Sequence, residues 1–215
     1  MKNFKTIVTA AFFILALGQI ETANAVVKKY GMGTDFQDHI VLSVFAGPAF
    51  PSGDFSDDFF GNHETGLQGT FEFEWYFSRQ TSLGLITRQA EFEDKDFGDD
   101  LVTNIGYYGG FIKHTIPLGR EWFGYGRFAL NWTELSFEDP GFITKTDGAW
   151  GILLGIGLLY RTSELLSING QLAYNKSFTE DSDVPGFPGP PQTEVGFDVQ
   201  YISLEFGVSF YFGVD

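Results

Sequence analysis

Cysteine is absent from this chain, and basic residues number 13 against 28 acidic ones, leaving a formal charge of −15. The first absence excludes disulfide bonds and cysteine-based zinc sites, so an exported domain of this size must be held by backbone hydrogen bonds and packing alone. The shortage of cations argues against nucleic-acid binding, because a phosphate backbone would be repelled without a basic patch to offset it. Histidine is scarce as well: His39, His63 and His114 stand far apart and form no metal-ligand cluster, so no metal and no other cofactor is expected. Long apolar runs are missing after residue 25. The longest, Ala149 to Tyr160, is interrupted by Gly151, Gly155 and Gly157 and is too short for a membrane-spanning helix, which needs about 20 apolar residues.

What the chain does have begins at its N-terminus. Lys2 and Lys5 precede an apolar run from Ile7 to Leu17, and Ala23-Asn24-Ala25 supplies a small-residue cleavage site. This is the pattern of a secretory signal peptide, so residues 1–25 are set apart from the fold. A short N-terminal segment, 26–38, is expected to lead into one domain covering 39–215.

From His39 onward the sequence alternates. Tyr201 to Phe212 places Ile202, Leu204, Phe206, Val208, Phe210 and Phe212 on one face, and Tyr201, Ser203, Glu205, Gly207, Ser209 and Tyr211 on the other. A period of two predicts a strand. The same reading predicts eight strands near 39–50, 66–78, 82–92, 101–116, 121–137, 148–160, 165–177 and 198–212. The fourth has no legible register, because Tyr107 and Tyr108 are adjacent and Gly109 and Gly110 erase the alternation. Connections alternate between long acidic loops (51–65, 93–100, 138–147, 178–197) and tight turns (79–81, 117–120, 161–164). That rhythm is expected of an eight-stranded antiparallel up-and-down transmembrane β-barrel with turns in the periplasm and loops outside.

Alternation by itself does not say which face is inward. A lipocalin-like secreted barrel would carry the apolar face inside around a ligand. Strand length, loop rhythm and the aromatic last strand point instead to a bilayer around the apolar face. Aromatics near strand ends, among them Trp75, Phe77, Trp122, Tyr160 and Phe212, fit an interfacial girdle.

Glu205-Phe206-Gly207-Val208-Ser209-Phe210-Tyr211-Phe212 resembles the C-terminal signal read by the barrel-assembly machinery, with Glu205, Gly207, Phe210 and Phe212 at the matching positions. Gly213-Val214-Asp215 follow, whereas such chains usually end on the aromatic. Gly47 to Phe55, followed by Gly66 and an aromatic second strand, is similar to the opening hairpin of the small outer-membrane β-barrel family that includes OmpA-, OmpX- and OmpW-type proteins. The resemblance covers about 39–212. It implies a location in the outer membrane, contact with outer-membrane lipid and lipopolysaccharide, assembly by the barrel machinery, and a monomer.

Candidate chemistry is sparse. Glu72 and Glu74 share a strand face at i, i+2, roughly 7 Å apart by strand rise, a spacing a paired-carboxylate glycosidase would use. An eight-stranded lumen is only wide enough for side chains, however, so an ion network of Glu72, Glu74 and Glu205 with Arg88 and Arg127 is expected there instead. No histidine-serine pair suited to a lipid-deacylating barrel occurs, so no enzymatic role is expected; His63, in an acidic loop, reads as solvated and His114 as an interface residue. The loop acids, including Asp54, Asp57, Asp58, Asp96, Asp99 and Asp183, match no calcium-loop pattern. Expected roles are a structural or surface-interaction barrel with a plugged polar lumen or, alternatively, OmpW-type passage of small hydrophobic molecules through a greasy lumen near Ile86, Leu153 and Leu159.

Overall fold

Alternating sequence becomes alternating structure through most of the described residues. The computed structural model describes residues 36–56, 63–94, 98–139, 142–145, 148–178 and 199–213. Its strands are β1 (His39–Ser52), β2 (Gly66–Tyr76), β3 (Thr81–Asp94), β4 (Gly98–Pro117), β5 (Trp122–Asp139), β6 (Phe142–Lys145), β7 (Ala149–Arg161), β8 (Leu166–Phe178) and β9 (Val199–Gly213). Each pairs antiparallel with its neighbour, and β1 pairs with β9 from His39↔Gly213 to Ser52↔Gln200, closing the sheet. The chain thus forms the all-β, eight-stranded antiparallel barrel expected from its alternation. Closure matters energetically because it leaves no unpaired edge to solvate or aggregate.

One short strand was not legible in the sequence. β6 folds back on the end of β5, from Asp139↔Phe142 to Ser136↔Lys145, within a stretch read as loop. Four residues are too few to show a period, although Pro140-Gly141 is a turn signal. The signal peptide, residues 26–35, the loop acids Asp57, Asp58, Asp96, Glu180, Asp181 and Asp183, and the Pro-rich stretch 184–191 lie outside the described residues.

Three tight turns share one end of the barrel with His39 and Gly213. Ser78 N–H donates to Thr81 O (3.3 Å), Leu118 N–H to Trp122 O (2.9 Å) and Thr162 N–H to Leu166 O (3.0 Å), each closing a reversal of a few residues. The longer connections lie at the other end, where the 3-10 turn Gly53–Ser56 follows β1.

The register of β4 is resolved by its neighbours. Lys113↔Arg127 and Tyr107↔Thr133 place Tyr107, Phe111, Lys113 and Thr115 inside, and Tyr108, Ile112 and Ile116 outside. Gly109 falls on the inward face where a Cβ would collide with the Leu130 carbonyl, so the residue that obscured the pattern is there for close backbone approach.

Polarity is inverted relative to a water-soluble barrel. The outward positions are large and apolar, with Leu85 and Ile156 each 65% exposed, and include Phe71, Phe73 and Trp75 of β2 and Leu204, Phe206 and Phe212 of β9. Along β5 the outward apolar band runs from Trp122 to Trp132, which a tilted strand converts into a height of about 25 Å. The inward positions bury Ser, Thr, Asn, Gln, Glu, Lys and Arg beside aromatics. Among the described residues no helix is long and apolar enough to cross a membrane.

Candidate functional site

The lumen holds the only concentration of charge that the described strands bury. Glu72 and Glu74 project inward from β2, Arg88 from β3, Arg127 from β5 and Glu205 from β9, each at most 4% exposed. Each carboxylate meets a cation across the lumen. Arg127 Nη1 donates to Glu72 Oε1, and Arg88 Nη2 donates to Glu205 Oε1 at 2.7 Å. Glu74 is held by Lys113 Nζ from β4 and by the Ser82 hydroxyl from β3.

Lys113 was missed from the sequence because it lies on the strand whose register was illegible. A signal existed: Ile112 and Ile116 flank it on the other parity, so an outward apolar face on β4 would have turned Lys113 inward. His63 needs correction. Its acidic surroundings in sequence predict a solvated residue, yet it is buried, its ring 4.4 Å edge-on from Phe55 and 6.3 Å from Phe92. Folding of Gly53–Ser56 over the barrel end brings Phe55 onto it, an arrangement local composition does not encode. His114 is exposed at the turn end, its Nδ1 3.0 Å from Thr81 Oγ1.

The three pairs are stacked along the barrel axis. Counting from the turn end of β2, Glu74 stands two residues and Glu72 four residues before Tyr76, while Glu205 stands eight before Gly213. Going up from the turns, the order is therefore Glu74–Lys113, Glu72–Arg127, Glu205–Arg88. Glu205 accepts two further hydrogen bonds, from Thr70 (2.6 Å) and Ser203 (2.9 Å), and Arg88 also donates to Asn175 on the opposite wall at 2.9 Å. Three acids facing three cations leave these pairs neutral in sum. Such pairing is required, since an unpaired buried charge costs several kcal/mol, about 3–5 when one partner is removed.

Aromatic and aliphatic side chains bracket the ionic layers. At the turn end Phe36, Val41, Tyr76, Phe123, Tyr125, Leu159 and Tyr211 pack together; at the loop end Phe55, Phe92, Ile105, Tyr107, Leu135, Val199 and Tyr201 do so. Ile86, Leu153, Phe111, Ala129 and Ala173 form a third cluster beside the charges. Lys113 Nζ lies 5.2 Å from the Tyr125 ring centroid and Arg127 lies 5.6 Å from that of Phe111, so the rings also shield the cations. Along the inner wall, Ser43 and its register partner Ser209 on the adjacent strand share a hydrogen bond of 2.6 Å, and Thr133 on β5 meets Ser177 on β8 at 2.8 Å.

Chemically, this arrangement fixes charge. Glu72 and Glu74 are each committed to a separate cation, which is not how an acid and a nucleophile are poised around a glycosidic bond. Among the described residues no group of three or more His, Cys, Asp or Glu could hold a metal ion.

The four residues that resemble a C-terminal assembly signal divide between the faces. Glu205 and Gly207 are inward and Phe210 and Phe212 outward. A Cβ on Gly207 would collide with the Val44 carbonyl and the Phe45 ring, so a packing requirement alone explains the glycine.

No protein-family model and no curated protein matches the chain. Among solved structures, it is similar to Neisserial surface protein A, at 12% identity over 82% of this chain and 98% of that one, with a TM-score of 0.60. It is similar also to the outer membrane protein OprG of Pseudomonas aeruginosa, at 16% identity over 85% and 99% of the two chains (TM-score 0.52). A third is Ail, the attachment invasion locus protein of Yersinia pestis, in complex with the heparin analogue sucrose octasulfate, at 12% identity over 82% and 99% (TM-score 0.51). The chain has the fold of the small outer-membrane β-barrels.

Proposed function

We propose that the protein resides in the outer membrane, exported by way of a signal peptide cleaved after Ala25, as a barrel with a closed lumen and a structural or surface-interaction role. The observation that carries this reading is the stack of three buried ion pairs inside a wall whose outer belt is apolar. A water-filled pore would leave these side chains hydrated, whereas here they reach one another across the lumen and are bracketed by aromatics. Glu205, Gly207, Phe210 and Phe212 serve assembly by the barrel machinery, and the acidic loops face outward.

Those loops set the electrostatics of the surface. With −15 formal charge overall, they oppose polyanionic ligands of the sucrose octasulfate type seen in the Ail complex and approach lipopolysaccharide phosphates only where divalent cations bridge the two. The test of the closed lumen is conductance of the purified barrel, as a monomer, in a planar bilayer. Brief or no openings are expected; a steady pore of porin size would sink the reading.

A second reading, passage of small hydrophobic molecules, has one observation in its favour. A hollow of about 470 Å³ opens on the outer wall between Leu83, Gly110, Phe128 and Trp150, and the inward-facing Gly84 and Phe111 line its floor. Ile86 and Leu153 adjoin Phe111 in one cluster, but Leu159 belongs to another at the turn end, so the greasy residues do not form one path.

A further inference from the structure

Phe36 is the one residue ahead of the barrel strands that enters the lumen among those described. It precedes β1 and belongs to no strand. Its ring nevertheless sits 4.9 Å edge-on from Phe123, 5.0 Å stacked on Tyr76 and 5.8 Å from Tyr211. The Arg161 guanidinium lies 5.0 Å from the Phe36 ring centroid and 5.2 Å from that of Tyr211. These partners come from β2, β5, β7 and β9, which are spread around the circumference, so the ring stands across the mouth and not against one wall.

Reaching that position takes a sharp reversal. Asp38 adopts φ 62°, the left-handed region that a residue with a Cβ enters at a cost of about 1 kcal/mol or more. The backbone ties there are Asp38 N–H to Tyr76 O (2.9 Å) and His39 N–H to Phe36 O (3.2 Å), with the His39 ring closing on the Phe36 and Gln37 carbonyls. The socket is fixed independently of its occupant. Tyr76 OH bonds Thr115 Oγ1 at 3.0 Å and Tyr211 OH bonds Ser167 Oγ at 3.1 Å. The turn that presents Phe36 and the socket that receives it are thus each set by their own hydrogen bonds.

We propose that residues 36–38, immediately ahead of β1, plug the periplasmic mouth, with Phe36 as the seal and the turn at Asp38 holding it in place. Withdrawal of Phe36 opens the lower lumen as far as the Glu74–Lys113 pair, while the ionic layers above stay shut. The placement of this mouth in the periplasm rests on the proposed function; the seal itself does not.

The absence of cysteine makes the test clean. Ser167→Cys puts a single thiol of nearly the same size on the inward face of β8, one residue from that strand's turn end and beside Tyr211, on the mouth side of the Glu74–Lys113 pair. Its reaction with a small charged methanethiosulfonate reagent is followed in the folded, heat-modifiable barrel, with Phe36 intact and as Phe36→Ala. Labelling is expected to be slow with Phe36 and roughly tenfold or more faster without it, while Phe36→Tyr restores slow labelling. Equally slow labelling in both folded proteins overturns the plug and leaves the closed lumen standing. Fast labelling in both overturns the plug and the closed lumen together. Should Phe36→Ala fail to fold, Phe36→Leu, which keeps bulk without ring faces, is expected to speed labelling too, and an unchanged rate in that variant overturns the proposal.

Discussion

The two faces of β2 carry the same period and opposite obligations. Phe71, Phe73 and Trp75 face outward and need only an apolar surround, whereas Thr70, Glu72, Glu74 and Tyr76 face inward and each need a particular partner. The difference follows from what surrounds each face. In the proposed membrane setting the outside meets lipid, which offers no hydrogen bonds, so any apolar side chain satisfies it. The lumen offers side chains at fixed positions, so inside residues are tolerated only in complementary sets. The outer face is therefore expected to be sensitive to polarity and indifferent to shape, and the lumen sensitive both to shape and to the loss of any one partner.

Substitutions can separate the two obligations. The largest loss is expected inside: Glu205→Ala strands Arg88 and removes the acceptor of Thr70 and Ser203, costing about 3–5 kcal/mol in urea unfolding from lipid vesicles. Next comes a charge on the outside. Leu204→Arg, one residue away on the same strand, should cost about 2–4 kcal/mol near the bilayer midplane and lower the heat-modifiable fraction. Gly207→Ala tests shape on the inside, where the added methyl meets Phe45, with an expected loss of about 1–3 kcal/mol. The smallest effect belongs to Phe206→Leu, an apolar exchange on the outer face, expected to stay under about 1.5 kcal/mol by the same assay. A large loss for Phe206→Leu, or none for Leu204→Arg, would erase the distinction between the faces.

The outer face was readable in the sequence for the same reason that it is tolerant. Hydrophobicity at every second residue is a local pattern, and it located β2, β7 and β9 without any knowledge of what they touch. Inward parity could be read as well wherever the outward residues were unbroken, which brought Glu72, Glu74 and Glu205 to one face. Partnership could not be read. Glu72 meets Arg127 three strands away, through β3 and β4, because the strands tilt as the barrel closes, and no linear spacing encodes that stagger. Lys113 was hidden by Tyr107-Tyr108 and Gly109-Gly110, which interrupt the alternation where it was needed. Phe36 and His63 lie outside strand patterns altogether, and their burial depends on short segments folding over the two ends of the barrel.

Cross-lumen pairing is tested most directly by a double-mutant cycle on Glu72 and Arg127, reading the unfolding free energy of Glu72→Leu, Arg127→Met and the double variant in one lipid. Each single change should strand a buried charge and cost about 3–5 kcal/mol, while the double variant, with no charge left to satisfy, should recover most of that loss. Losses that simply add would show that the two residues do not depend on each other, and would contradict a lumen closed by paired charge.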